Sequence, residues 1–211
     1  MQSLRCRGYT IQCRFRFERN RLRLLKIMSD VSRTVCVYCA SSDGKDPEHL
    51  RVARRLGELL AEQKYSLVYG GSRMGAMGAV ADGALSRGGH VTGVMPDFLR
   101  RLELAHNALS ELHIVDDMRT RKHRMLTSSC AVIALPGGCG TFEELLEAIT
   151  LRKLGVHRHP ILIVNTAGFY APLLELFDSA RQSGFLAGDE DLWTVVPTAE
   201  AAVAQLTRLI P

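Results

Sequence analysis

The residues best suited to do chemistry stand in two glycine-rich stretches, each placed directly after a short apolar run. Residues 136–141 (PGGCGT) follow the apolar run 131–135. Glycines just before a helix let backbone N–H groups close around an anion at the positive helix end. A phosphate suits such a site, and the hydroxyl of Thr141 adds a donor that can also cap the helix.

In the second glycine-rich stretch, residues 70–78 (GGSRMGAMG), the backbone could also come close to a ligand. Neither stretch is a standard nucleotide signature, because Gly75 is followed by Ala76 rather than Lys, and the spacing after Gly140 breaks the G-x-G-x-x-G pattern. ATP hydrolysis and hydride transfer are therefore disfavoured. Glycine-rich turns by themselves serve tight packing equally well.

Charged residues accompany the glycines. Glu143 and Glu144 fall in the predicted first turn of the helix after the anion loop, where acids often only complement the helix dipole. A carboxylate beside a phosphate becomes useful if it stabilises an oxocarbenium-like ribose or activates water. The basic run 118–125 (MRTRKHRM) is either a solvated face or the source of a guanidinium for that phosphate or carboxylate.

Alternating apolar runs and amphipathic segments predict an α/β fold, with a doubly wound, mostly parallel, Rossmann-like sheet and helices on both faces. Asp46 is predicted to cap a helix that begins at Pro47. Cys36 and Cys39 match C-x-x-C but sit on one strand, so we expect them to face opposite sides of the sheet. Strands are predicted at 34–40, 66–69, 90–95, 111–115, 131–135, 161–165 and 192–196, and later helices at 75–87, from 118, 141–153, 170–183 and 199–209.

Composition and charge narrow the class of protein. The chain has 211 residues, 46% hydrophobic and 23% charged, and its net charge of +5 is concentrated before Met28. Residues 1–30 are interpreted as a basic N-terminal extension, either a disordered arm or sequence upstream of a start at Met28 in preference to a transit peptide, and residues 31–211 as one domain. This distribution argues against nucleic acid as a partner.

Apolar runs and metal-binding side chains also limit the possibilities. No apolar run approaches the roughly 20 residues that cross a bilayer, so we expect a soluble protein without a membrane partner. Six scattered cysteines indicate a reducing cytoplasm. His157 and His159 lack further ligands at metal-site spacing, so we expect them at the surface, with no metal.

Three motifs in the same order resemble the lonely-guy family, the cytokinin-activating phosphoribohydrolases once described as lysine decarboxylases. They are 69–72 (YGGS), M-x-x-R-K at 118–122 and P-G-G-x-G-T-x-x-E at 136–144, within a resemblance that runs from 35 to 209. The resemblance implies hydrolysis of the N-glycosidic bond of cytokinin riboside 5′-monophosphate or AMP, which releases free base and ribose 5-phosphate. It implies no cofactor, and homodimers whose interface helps to complete the active site.

The resemblance also implies roles for individual residues. Arg121 and Glu144 would be the catalytic pair. Cys130 and Cys139 depart from residues common in the family. Substrate would contact Lys122, the loop that holds the 5′-phosphate and several further side chains; the full predicted set is Gly71, Ser72, Glu103, Lys122, Gly137, Gly138, Cys139, Gly140, Thr141, Glu143 and Thr150.

Two other functions compete with hydrolysis. In a non-catalytic binding protein, the same loop would retain a nucleotide or a molybdopterin-type cofactor, but the presence of both Arg121 and Glu144 argues against it. Lysine decarboxylation needs a pyridoxal-phosphate lysine in a much larger fold, and Lys122 and Lys153 lack that context.

Overall fold

A single seven-stranded sheet organises the chain. The computed structural model describes residues 33–100, 104–186 and 192–210, so the predicted extension at 1–30 and Glu103 lie outside the described residues. All six strand pairings are parallel and the strand order is β4-β3-β2-β1-β5-β6-β7, which confirms the doubly wound fold. The strands are β1 Thr34–Tyr38, β2 Ser66–Tyr69, β3 Val91–Pro96, β4 Glu111–Val115, β5 Ala131–Ala134, β6 Ile161–Val164 and β7 Thr194–Val196.

The described parts of the chain contain six helices longer than one turn, of which the first five connect strands and the sixth follows β7. They are α1 Pro47–Glu62, α2 Gly75–Ser86, α3 Met118–Thr127, α4 Cys139–Lys153, α5 Ala171–Gln182 and α6 Ala199–Leu209. As predicted, α1 begins at Pro47, and the side chain of Asp46 caps it by accepting a hydrogen bond from Glu48 N at 2.8 Å. None of the described helices is long and apolar enough to cross a membrane.

The start of α4 differs from the prediction. The helix begins at Cys139 rather than at 141, with Gly138 as its N-cap, and no side chain caps it. Thr141 is therefore not a capping residue, and Glu143 and Glu144 fall in the second turn rather than the first. The helix can begin within the glycine-rich stretch because the N–H groups of its first turn have no partner within the helix in any case.

Each face of the sheet carries its own hydrophobic core. Helices α1, α2 and α6 pack on one face, and α3, α4 and α5 pack on the other. Cys36 belongs to the core beneath α3–α5 and Cys39 to the opposite one, which confirms that they face opposite sides. His157 is only 6% exposed, so its predicted surface position is wrong.

Strand order places a crevice at the middle of the sheet. The chain runs outward from β1 through β2 and β3 to β4, then returns to β5 beside β1 and continues to β6 and β7. Leu135 N donates to Tyr38 O at 2.9 Å, which holds the ends of β1 and β5 together. Ligands of open α/β sheets bind where the strand order reverses in this way, outside the carboxyl ends of the strands.

Candidate active site

A cavity of about 250 Å³ opens at this reversal of strand order. The segment after β1 and helices α2, α3 and α4 contribute most of its wall, and the short helical turn after β3 adds Leu99. Polar and charged groups alternate there with apolar ones. The lining residues are Cys39, Ala40, Ser41, Ser42, Met77, Leu99, Met118, Arg121, Gly138, Gly140, Thr141 and Glu144.

The glycines before and within the first turn of α4 have two different roles. A Cβ on Gly137 would lie 2.1 Å from Thr141 Oγ1, so Gly137 serves the close packing of the loop. A Cβ on Gly138 or Gly140 would meet no described atom within 4 Å. Both of these glycines line the cavity, where the uncapped N–H groups of α4 form a site suited to an anion.

A buried tyrosine donates a hydrogen bond to the backbone at the start of the loop before α4. Tyr170 is 1% exposed, and its hydroxyl donates to Leu135 O at 2.7 Å. Burial raises the pKa of Tyr170 above its ordinary value, so the hydroxyl stays protonated and remains a donor. Gly137 also lines a second cavity of about 240 Å³ that adjoins the first.

Arg121 is a buried cation in the wall of the cavity. It is the fourth residue of α3, is 3% exposed, and donates from Nη1 to Met118 Sδ at 3.7 Å. Its Nη2 packs so closely on Gly70 that a Cβ there would lie 2.0 Å away. Its buried Nε has no hydrogen-bond partner in the described parts of the chain. A buried donor left in this way is suited to a ligand.

Glu144 is a buried acid in the same cavity, 4% exposed on α4. Cys39 lies close to both charges. Burial raises the pKa of the Cys39 thiol, Glu144 raises it further, and Arg121 lowers it. Two opposite charges are thus buried together, an arrangement that costs desolvation and is typical of functional sites.

Lys122 on α3 and Glu143 on α4 form an ion pair outside the cavity. Lys122 Nζ forms an ion pair with Glu143 and another, at 2.9 Å, with Glu147. Burial lowers the pKa of Lys122, but the hydrogen bonds to both carboxylates outweigh burial and raise the pKa overall. Neither Lys122 nor Glu143 is among the described residues that line the cavity.

Neither Gly71 nor Ser72 is among the described residues that line the cavity. Gly71 has a φ of +85°, a conformation that favours glycine. Ser72 is fully buried; its Oγ accepts from Met74 N at 3.1 Å and its carbonyl accepts from the Tyr69 hydroxyl at 3.0 Å. Both shape the turn that supports Arg121.

Two other predicted substrate residues lie on the exposed surface of α4. Thr150 donates to Leu146 O at 2.8 Å, and Cys139 is a free exposed thiol at the first position of the helix. Neither lines the cavity among the described residues. A role for them in substrate binding stays a prediction.

Sequence reasoning missed the two serines that follow β1. Ser41 and Ser42 both line the cavity. Met77 N donates to Ala40 O at 3.0 Å, and a Cβ on Gly75 would lie 2.4 Å from Ser42 O, so α2 packs directly on this loop. Their position after a strand was visible in the sequence, but only the strand order shows that this strand is central.

Comparison with known proteins identifies the family. The fold and the cavity define a Rossmann-like protein in which a buried arginine and a buried glutamate lie beside a helix start that no side chain caps. A family model described as possible lysine decarboxylase matches residues 77–206. The chain is 41% identical over 180 residues to cytokinin riboside 5′-monophosphate phosphoribohydrolase LOG of Oryza sativa subsp. japonica, covering 85% of this chain and 74% of that protein. It is also 41% identical over 155 residues to the phosphoribohydrolase of that name in Rhodococcoides fascians, covering 73% and 78%. The chain belongs to the lonely-guy family.

Solved structures share the fold. The molybdenum cofactor binding protein from Rippkaea orientalis matches with a TM-score of 0.63 and 21% identity over 84% of this chain and 97% of that one. A Moco carrier protein from Chlamydomonas reinhardtii gives 0.64 and 22% over 83% and 96%. At these identities the likeness concerns the Rossmann-like architecture alone.

Proposed function

We propose that this protein hydrolyses the N-glycosidic bond of a cytokinin riboside 5′-monophosphate or AMP and releases free base and ribose 5-phosphate. The observation that carries the proposal is the burial of Arg121 and Glu144 in one cavity at the N-terminus of α4. Relatives that are 41% identical and named for this activity support the class of substrate.

The 5′-phosphate binds at the start of α4 in this proposal. The free N–H groups of the first turn and the dipole of a 15-residue helix favour an anion there. Thr141 and Ser42 line the same cavity and supply hydroxyl donors. Gly138 and Gly140 leave the space that the phosphate needs, because neither has a side chain to fill it.

Arg121 and Glu144 then act on the ribose. The oxygen of a water molecule bonds to C1′ while the C1′–N bond breaks and its electron pair passes to the base. One water proton goes to the base, and the other remains on the new hydroxyl. Glu144 stabilises the positive charge that develops on the sugar or orients the water, and the guanidinium of Arg121 binds the phosphate and supports Glu144.

A panel of nucleoside 5′-monophosphates tests this function by chromatography of the released base. Wild-type protein is expected to release base from AMP or from isopentenyladenosine monophosphate, and unphosphorylated nucleosides should react poorly because they lack the group that α4 binds. Release of base also separates an enzyme from a carrier protein. Binding of nucleotides without any release would contradict the proposal.

We also propose that the chain forms a homodimer in a reducing cytoplasm. Leu154 and Val156, just after α4, are 68% and 72% exposed, and Phe185 is 78% exposed. Lys153 Nζ donates to Phe185 O at 3.4 Å, so Phe185 lies near the end of α4, and exposed apolar side chains in one region suit contact with a second copy. Sedimentation of wild type against a Val156→Glu variant tests the dimer, since the charge should dissociate it.

A further inference from the structure

The ion-pair cluster of Lys122, Glu143 and Glu147 lies between the same two helices that carry the proposed catalytic pair. Lys122 comes from α3, and both carboxylates come from α4. The Lys122 side chain is only 15% exposed, whereas those of Glu143 and Glu147 are 54% and 41% exposed. The cluster thus links α3 to α4 by ion pairs at a partly exposed surface.

The cluster and the cavity share adjacent residues on each helix. Lys122 follows Arg121 on α3, and Glu143 precedes Glu144 on α4. Successive helical residues project about 100° apart, as a repeat of 3.6 residues per turn requires. On each helix, one residue therefore lines the cavity and the residue next to it belongs to the outer cluster. A movement of either helix would change the cavity and the cluster together.

We propose that Lys122 is a positioning residue, which holds α3 on α4 through Glu143 and Glu147 so that Arg121 and Glu144 face the same substrate atoms. This inference rests on the proposed function and assigns Lys122 a role other than the substrate contact that the family resemblance implies. One ammonium and two carboxylates leave the cluster with a net negative charge, which does not favour a phosphate.

The magnitudes favour an effect on rate rather than on folding. A partly exposed ion pair contributes little to the free energy of unfolding. A catalytic group displaced by about 1 Å, in contrast, lowers the rate by roughly 100-fold. The cluster is therefore expected to affect kcat much more than the stability of the fold.

A charge-reversal cycle tests the proposal. Lys122→Glu and Glu143→Lys, each alone, are expected to lower kcat by about tenfold to 100-fold with little change in KM, because Arg121 and Glu144 remain but lose their relative position. The double variant restores the ion pair between positions 122 and 143 with the charges exchanged, but it leaves Glu147 opposite an acid at 122, so kcat should recover in part. Arg51→Met, which breaks the exposed ion pair with Glu48 on α1, is the matched control and should keep wild-type kcat and KM.

Two results would overturn the positioning role. One is a double variant as slow as the slower single variant, because a substrate-binding ammonium at 122 is not replaced by one at 143. The other is a Lys122→Met variant whose KM rises while kcat stays at the wild-type value. If Lys122 variants do not fold by circular dichroism, Glu143→Gln combined with Glu147→Gln removes the same contacts from α4, and a normal kcat in that protein overturns the role.

Failure of the proposed function gives a separate result. If wild type and Arg51→Met both release no base, the hydrolase proposal fails. The same cycle then reports on the cluster through Tm: a double variant more stable than the sum of its single changes supports the link between α3 and α4, and additive losses overturn it.

Discussion

Helices α3 and α4 bring the same kinds of charge together at two places with opposite surroundings. Inside the cavity, Arg121 and Glu144 are both under 5% exposed. Outside it, Lys122 binds Glu143 and Glu147 at a partly open surface. Burying charge is costly, and a hydrophobic pair of similar size would serve stability at least as well. The inner pair therefore suits chemistry, and the outer cluster suits the alignment of the two helices.

The inner pair should show the largest effect when one charge is removed. Glu144→Gln keeps the shape of the side chain but removes the carboxylate that would stabilise the sugar cation. We expect kcat for base release to fall by about 10³-fold or more, as for other electrostatic catalytic groups. Glu147→Gln, three residues later on the same helix, is the control and should fall much less. Equal losses in both variants would remove the distinction between inner and outer acids.

We expect the second-largest effect from Gly70, which packs against the guanidinium of Arg121. In Gly70→Ala, the new Cβ would lie 2.0 Å from Nη2 of Arg121 and 2.9 Å from the end of Met77, so the guanidinium must move. We expect kcat to fall by roughly 100-fold with the fold retained. Steady-state kinetics and a thermal melt measure both quantities, and wild-type kcat in the alanine variant would show that Arg121 needs no fixed position.

His157 shows what burial does to an ionisable group that lacks an opposite charge. It lies between α4 and β6, away from the cavity, and burial, then His159 and Arg152, lower its pKa from 6.5 to about 4. The unfolded chain binds a proton as pH falls below 6.5 and the folded chain does not, so stability should decline by roughly 2–3 kcal/mol between pH 6.5 and 4. Denaturant unfolding across this range should show a shallower decline for His157→Gln; an unchanged decline would contradict the cause.

The outer cluster should contribute least to stability. Lys122→Met is expected to lower the free energy of unfolding by at most about 1 kcal/mol, because two of the three charged groups are well exposed to solvent. Urea denaturation of this variant beside Arg51→Met measures the difference. A loss of several kcal/mol in the free energy of unfolding would instead show that the cluster stabilises the fold.

Sequence patterns predicted the sheet well because buried strands are short apolar runs. Every predicted strand is present, and the positions of Ser66–Tyr69 and Glu111–Val115 match the prediction at both ends. The start of α4 was placed two residues late because Gly138 and Gly140 read as a loop, although the first helical turn tolerates glycine.

The site was harder to predict than the fold. Motifs named Arg121 and Glu144, and the structure brings both into one cavity. The engagement of Lys122 by two carboxylates, and the need for Gly70 beneath the guanidinium, depend on how α3 lies against α4 and β2. No periodicity along the chain carries that relation, since residues far apart in sequence make the contacts.

A crystal structure of the Glu144→Gln variant with bound AMP tests whether the start of α4, Arg121 and residue 144 all contact one nucleotide. We expect the 5′-phosphate on the N–H groups at the start of α4, the guanidinium of Arg121 within hydrogen-bond distance of the nucleotide, and C1′ facing the side chain at 144. A nucleotide bound with its phosphate away from α4, or with C1′ turned from residue 144, would contradict this expectation.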